Sequence, residues 1–113
     1  MVSISGYDIT LTRGDSLHLR VDLDGRDLPE GSQAVFTLKR SIRSRSVLLR
    51  KCFDVSRETL GIVLTPQETD LLPGAYVWDL RLRIPLENGG FDVYTPMEHA
   101  VFMVIPAVGG AQA

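Results

Sequence analysis

Apolar and polar residues alternate with a period of two along most of this chain, and nowhere do apolar residues recur at helical spacing, so the pattern predicts an all-β fold. Leu17, Leu19, Val21 and Leu23 alternate with His18, Arg20 and Asp22, which gives a strand one dry and one wet face. A shorter strand over Asp8 to Thr12 precedes it across the turn Arg13-Gly14-Asp15. Ala34, Phe36 and Leu38 form the inner row of a third strand, Val47 to Phe53 a less regular fourth, and Gly61 to Thr65 a short fifth. The longest strand places Tyr76, Trp78, Leu80, Leu82 and Ile84 on its inner face, with Val77, Asp79, Arg81 and Arg83 opposite. Beyond the turn Glu87-Asn88-Gly89-Gly90 come Phe91 to Thr95 and then His99 to Ile105. The expected total is about seven or eight mostly antiparallel strands. Only Pro66 to Leu71 suits a helical turn, with Thr65 as N-cap and Glu68 completing a capping box.

The start of the longest strand narrows the class. Leu71, Pro73, Gly74 and Tyr76 stand in the L-x-P-G-x-Y spacing of a tyrosine corner, where a Tyr opening a strand hydrogen-bonds back to the loop before it. This points to an immunoglobulin-like β-sandwich. Trp78 occupies the position where an antibody domain carries its second cysteine, and Cys52 is the single cysteine of the chain, so no inter-sheet disulfide forms. Packing alone must join the sheets. With 113 residues, one domain buries about two-thirds of its unfolded surface, enough for a core without staples. Residues 1–106 are expected to form the sandwich and 107–113, small and flexible, a C-terminal tail.

Composition excludes more than it suggests. A hydrophobic fraction of 44% and a charged fraction of 23% belong to a globular chain. The longest apolar stretch, Ala100 to Val108, is interrupted by Pro106 and falls far short of the roughly 20 residues of a membrane helix. The N-terminus has neither the basic nor the apolar region of a secretory signal, so synthesis and folding in the cytoplasm are expected.

Candidate chemistry is sparse. Arg13-Gly14-Asp15 spells an integrin-recognition tripeptide, but a Gly-Asp turn is needed between these two strands in any case, and Gly14 and Asp15 are read as turn residues. Asp22, Asp24, Asp27 and Glu30 lack the spacing of an EF-hand and read as a solvated turn. His18 and His99 have no second imidazole or thiol at ligand spacing. Cys52 pairs with no catalytic histidine and reads as a small core or strand residue. No nucleophile elbow or phosphate-binding Gly loop is present. The expectation is therefore a protein without catalytic residues, cofactor, metal or small-molecule substrate.

One charge pattern stands apart. Lys39, Arg40, Arg43, Arg45, Arg50 and Lys51 are half of the 12 basic residues, and no acid lies between them. Clustered guanidinium groups bind phosphate or carboxylate. A net charge of −2 and the lack of interleaved aromatics weigh against nucleic acid. Arg40, Arg43 and Arg45 at the hairpin tip are thus candidates for contact with an acidic protein.

The segments ITLTRGDSLHLRVDL, AVFTLKR, GIVLTPQETDLLPGAYVWDLRL and TPMEHAVFMVIPAV together resemble the small phage proteins related to the N-terminal domain of phage baseplate upper proteins. Thr12, Arg13, Gly14, Asp15 and Ser16 match that family's first motif, and Leu64, Thr65, Glu68, Thr69, Gly74, Tyr76 and Asp79 its second. The likeness rests on the order and spacing of short motifs over nearly the full length. It implies an immunoglobulin-like virion or prophage structural protein of the tail or baseplate, with phage structural proteins as partners. The family's attachment domain usually continues into a stem or receptor-binding region, which favours an adaptor or decoration subunit here.

The final strand adds an assembly expectation. Ala100, Phe102 and Val104 form one apolar row, and Val101, Met103 and Ile105 the other, although a sandwich strand needs only one buried face. Covering the second row by another copy predicts a homo-oligomer. The alternative is a binding module whose end loops hold a glycan or host receptor. Against it, the only Trp belongs to the core row.

Overall fold

A computed structural model describes residues 2–22, 28–55, 59–95 and 99–108. The fold is all-β, and the described residues contain no helix. The described residues form nine strands in chain order: β1 (Val2–Ser5), β2 (Asp8–Thr12), β3 (Leu17–Asp22), β4 (Gln33–Lys39), β5 (Leu49–Asp54), β6 (Thr59–Leu64), β7 (Gly74–Pro85), β8 (Phe91–Tyr94) and β9 (Ala100–Ile105). The larger sheet has the order β1-β2-β9-β7-β4-β5, with β8 also on β7, and the smaller is the pair β3-β6. All pairings are antiparallel except β2 with β9, which run parallel with Ile9 opposite Phe102.

The two sheets share one core. Ile9, Leu11, Phe36, Leu38, Tyr76, Trp78, Leu80, Leu82, Phe102 and Val104 from the larger sheet meet Leu17, Leu60, Ile62 and Leu64 from the smaller. Each set sits at every second position of its strand, as pleating requires. Phe36 lies at the centre, its ring stacked on Trp78 at 5.4 Å and edge-on to Phe102 at 6.3 Å. The Trp78 indole N–H donates to the Tyr7 carbonyl at 3.0 Å, so the one polar atom of the ring is satisfied.

Several boundaries differ from the sequence expectation. The strand β1 adds to the expected count, and it is held by a hairpin with β2 in which Gly6 takes φ 61°. Val47 and Leu48 lie in the turn before β5 and are exposed; the Leu48 N–H donates to Leu38 O at 2.9 Å, and the strand opens only at Leu49. Cys52 is on β5 but exposed, not in the core. Ile84 is half-buried and lies outside the buried core cluster. The two strands expected over Phe91 to Thr95 and His99 to Ile105 are present as β8 and β9: β8 pairs with Leu82–Pro85 and β9 with Gly74–Trp78, and the register shifts by two residues between them. Leu23, Asp24, Asp27 and tail residues 109–113 lie outside the described residues, whereas Val108 is 99% exposed.

The corner before β7 is built by local chemistry. The Tyr76 hydroxyl donates to the Leu72 carbonyl, the back-bond that the corner spacing requires. Gly74 follows Pro73 with φ 152°, a backbone that favours glycine. Upstream, the Thr65 N–H donates to Glu68 Oε1 at 2.9 Å and the Glu68 N–H to Thr65 Oγ1 at 3.3 Å, a reciprocal capping box over a single turn. Replacing Tyr76 by Phe keeps the ring and removes the hydroxyl, leaving a carbonyl without its donor. The expected cost is about 1–2 kcal/mol. Urea unfolding measures it, and a variant as stable as the parent would show that the corner bond contributes nothing.

Glu68 also receives Lys51 Nζ at 2.8 Å. Burial raises its carboxyl pKa, but the Lys51 hydrogen bond and charge and the Thr65 bonds together outweigh this and hold it below the ordinary 4.5. A depressed folded-state value means that the stabilisation is fully present above the unfolded-state pKa and lost as pH falls through the folded one. The stability difference between the parent and Glu68→Gln should therefore shrink on going from about pH 7 to about pH 3. A difference that stayed constant would mean that the ion pair does not stabilise the fold.

Candidate functional site

Residues directly opposite in a sheet share a face, so the register defines what the larger sheet presents outward. On β9 the outward row is Val101, Met103 and Ile105. Val101 is 40% exposed, and the other two are half-buried. Val77 and Ala75 stand opposite Val101 and Met103 on β7, and Thr10 and Thr12 opposite Met103 and Ile105 on β2. This half of the face is apolar with a threonine margin.

The other half is basic. Thr37 on β4 lies between Arg50 and Asp79, and Val35 between Cys52 and Arg81. Gln33 lies between Asp54 and Arg83, and Lys39 opposite Val77. A shallow depression of about 410 Å³ runs across these rows, with Val93 of β8 at one end. Lys39, Arg50, Arg81 and Arg83 line it against a single carboxylate, Asp79, whose Oδ1 is buried without a hydrogen-bond partner. Arg83 is also placed 4.5 Å over the Phe91 ring.

The basic run expected at one hairpin tip is thus dispersed by strand alternation. Lys39 and Arg50 point outward, whereas Lys51 turns to the margin between the sheets, donating to Glu68 and to Val63 O at 2.9 Å. Arg40 lies 5.6 Å from the Tyr76 ring centroid, a cation–π distance. Arg43 and Arg45 are exposed in the tip, which Ser44 braces through bonds to Ser41 O and Ser46 O. Arg81 and Arg83 were visible in the sequence only as the polar row of β7. Their meeting with Lys39 and Arg50 depends on a pairing that connects distant segments.

Arg13-Gly14-Asp15 is tied into the body of the fold. Thr12 O accepts from the Asp15 N–H at 3.0 Å, with Gly14 at φ 83° in the turn position that needs a positive φ. The Gly14 N–H donates to Thr69 O, the buried Thr69 hydroxyl to Asp15 O at 2.7 Å, and Arg13 Nε to Asp70 at 2.7 Å. The tripeptide thus anchors the loop that precedes the corner.

Pro73 is exposed, and Tyr76 and Trp78 are buried. The exposed aromatics among the described residues are Tyr7, Phe91 and Tyr94. His18 and His99 are exposed on separate strand ends. Among the described residues, no three His, Cys, Asp or Glu side chains gather as a metal site would need, and no helix is long and apolar enough to cross a membrane. The outer face of the larger sheet is thus two-toned, with one apolar and one cationic half. No protein-family model matches the chain, and no curated protein matches it.

Proposed function

We propose that this chain is a non-enzymatic structural subunit of a phage or prophage particle, an immunoglobulin-like module that joins tail or baseplate components through protein–protein contacts. The fold half of this reading is supported by the bonded tyrosine corner and by the parallel pairing of β2 with the final strand β9, which seals a two-sheet sandwich. The motif order described above supports the particle assignment.

The observation that carries the contact role is the apolar row on β9. This strand is hydrogen-bonded on both edges, to β2 and to β7, so its backbone is already engaged. What it offers is a face. Val101, at 40% exposure, sits with Met103, Val77 and Ala75 on that face, and this row is the surface assigned here to the interface. A second copy covering it makes the subunit a homo-oligomer.

Met103→Glu places a charge in the middle of this row without touching the core. The variant should fold like the parent and elute as a smaller species in light-scattering chromatography. A parent that stays monomeric at high concentration would remove self-association from the proposal. Particles purified after prophage induction should contain the chain, and its absence from them would overturn the virion role.

A further inference from the structure

We propose that the cationic half of the outer face docks an extended acidic segment of a partner protein, its carboxylates at alternate residues; this deepens the structural-subunit reading and rests on it. Charge comes first. Four cations and one carboxylate line the depression, a local excess of positive charge on a chain whose sum is −2. Such an excess is costly to hold together and is relieved by an anionic partner.

Shape selects the kind of anion. From the row of Lys39 and Val77 to the row of Gln33 and Arg83 the pairing advances by three two-residue steps, about 20 Å along the strands. Arg50 on β5 and Arg81 on β7 stand on either side of β4, about 10 Å apart across the sheet. The cations therefore line a strip as long as about six extended residues. An extended peptide turns every second side chain to one side, at the same spacing as the rows beneath it, so alternate carboxylates meet successive guanidinium groups.

Asp79 sets the discrimination. It lies at the centre of the strip, opposite Thr37 and one row from Arg81. A uniform chain of phosphates would meet its charge head-on, whereas a peptide passes an uncharged residue over it. Val35 and Val93 line the same floor, which suits aliphatic or threonine side chains between the acids, and the depression itself is lined by no aromatic ring.

The experiment uses the whole chain and a synthetic peptide alternating glutamate with threonine, about a dozen residues long so as to overrun the strip. Its glutamine counterpart and a thymidine oligonucleotide of equal charge serve as comparisons. Calorimetry should show binding of the glutamate peptide that weakens as salt is raised, with little binding of the glutamine peptide. The bound peptide should protect the single thiol, Cys52, from alkylation, because Cys52 is exposed one row from Arg50. Arg50→Glu with Arg81→Glu should weaken binding by about tenfold or more, whereas Arg43→Glu with Arg45→Glu at the hairpin tip should leave it unchanged. Tighter binding of the oligonucleotide, loss of binding through the tip variant alone, or failure of the glutamate peptide to bind each overturns the proposal. Failure of the peptide while Met103-dependent assembly persists defeats this inference alone. Peptide binding by a chain that never assembles defeats only the self-association reading.

Discussion

Trp78→Ala should cost about 3–5 kcal/mol, a large part of the roughly 5–15 kcal/mol that holds a domain of this size folded. Three losses combine. The indole is 2% exposed, and Trp78 pairs with Leu38 on β4 and with Ala100 on β9. Its stacking on Phe36 disappears, and so does the bond that ties the Tyr7 carbonyl, in the β1–β2 turn, to the core. The cavity would form where no disulfide or second staple can compensate, since Cys52 is the only cysteine. Urea unfolding followed by far-ultraviolet circular dichroism is the suitable measurement, because the variant lacks the chain's one tryptophan fluorophore. A loss below about 1 kcal/mol would place the indole outside the cooperative core.

Phe102→Glu should abolish folding. The ring is fully buried, edge-on to Phe36, on a strand that fits between β2 and β7. A glutamate there must either ionise without a partner or remain protonated at a cost of several kcal/mol, and it leaves a void as well. The far-ultraviolet spectrum should lose its β signature and the urea transition its cooperativity. Met103→Glu, one residue away on the opposite face, should keep both. A cooperative transition for Phe102→Glu would mean that β9 is not integral to the core.

The difference between what could be read from the sequence and what could not follows from the range of each interaction. The Leu17 and Ala34 rows, the Tyr76 to Leu82 row, the corner and the capping box depend on residues a few positions apart, and alternation or spacing reveals them. Strand β1 has only four residues, and its sequence Val-Ser-Ile-Ser is too short to stand out from the turn that follows. Alternation continues through Ile84 and so puts it in the core; whether anything covers that end of the strand is not written in β7 itself. The cationic strip is the clearest case. Arg50, Arg81 and Lys39 come from three strands, and only the register of β4 with both neighbours brings them onto one surface. The basic run from Lys39 to Lys51 drew attention to one hairpin, whereas a two-residue period sends its members to different faces.

The parallel pairing of β2 with β9 bears on how the chain acquires its structure. The Asp8 carboxylate accepts the Val101 N–H at 2.9 Å across a separation of 93 residues, and Ile9 pairs with Phe102 across the same span. On a ribosome, the early strand must wait with its apolar side chains unpaired until the last one has emerged. Closure of so long a loop precedes any reward from the contacts it makes, which slows folding and prolongs exposure to wrong partners. Local hairpins such as β4–β5 can form in the meantime, but the larger sheet is completed only when the final strand slides between β2 and β7. The rate of that insertion, more than the stability of any hairpin, should therefore set the yield of folded subunits at high expression, and cooling or slower synthesis should raise it.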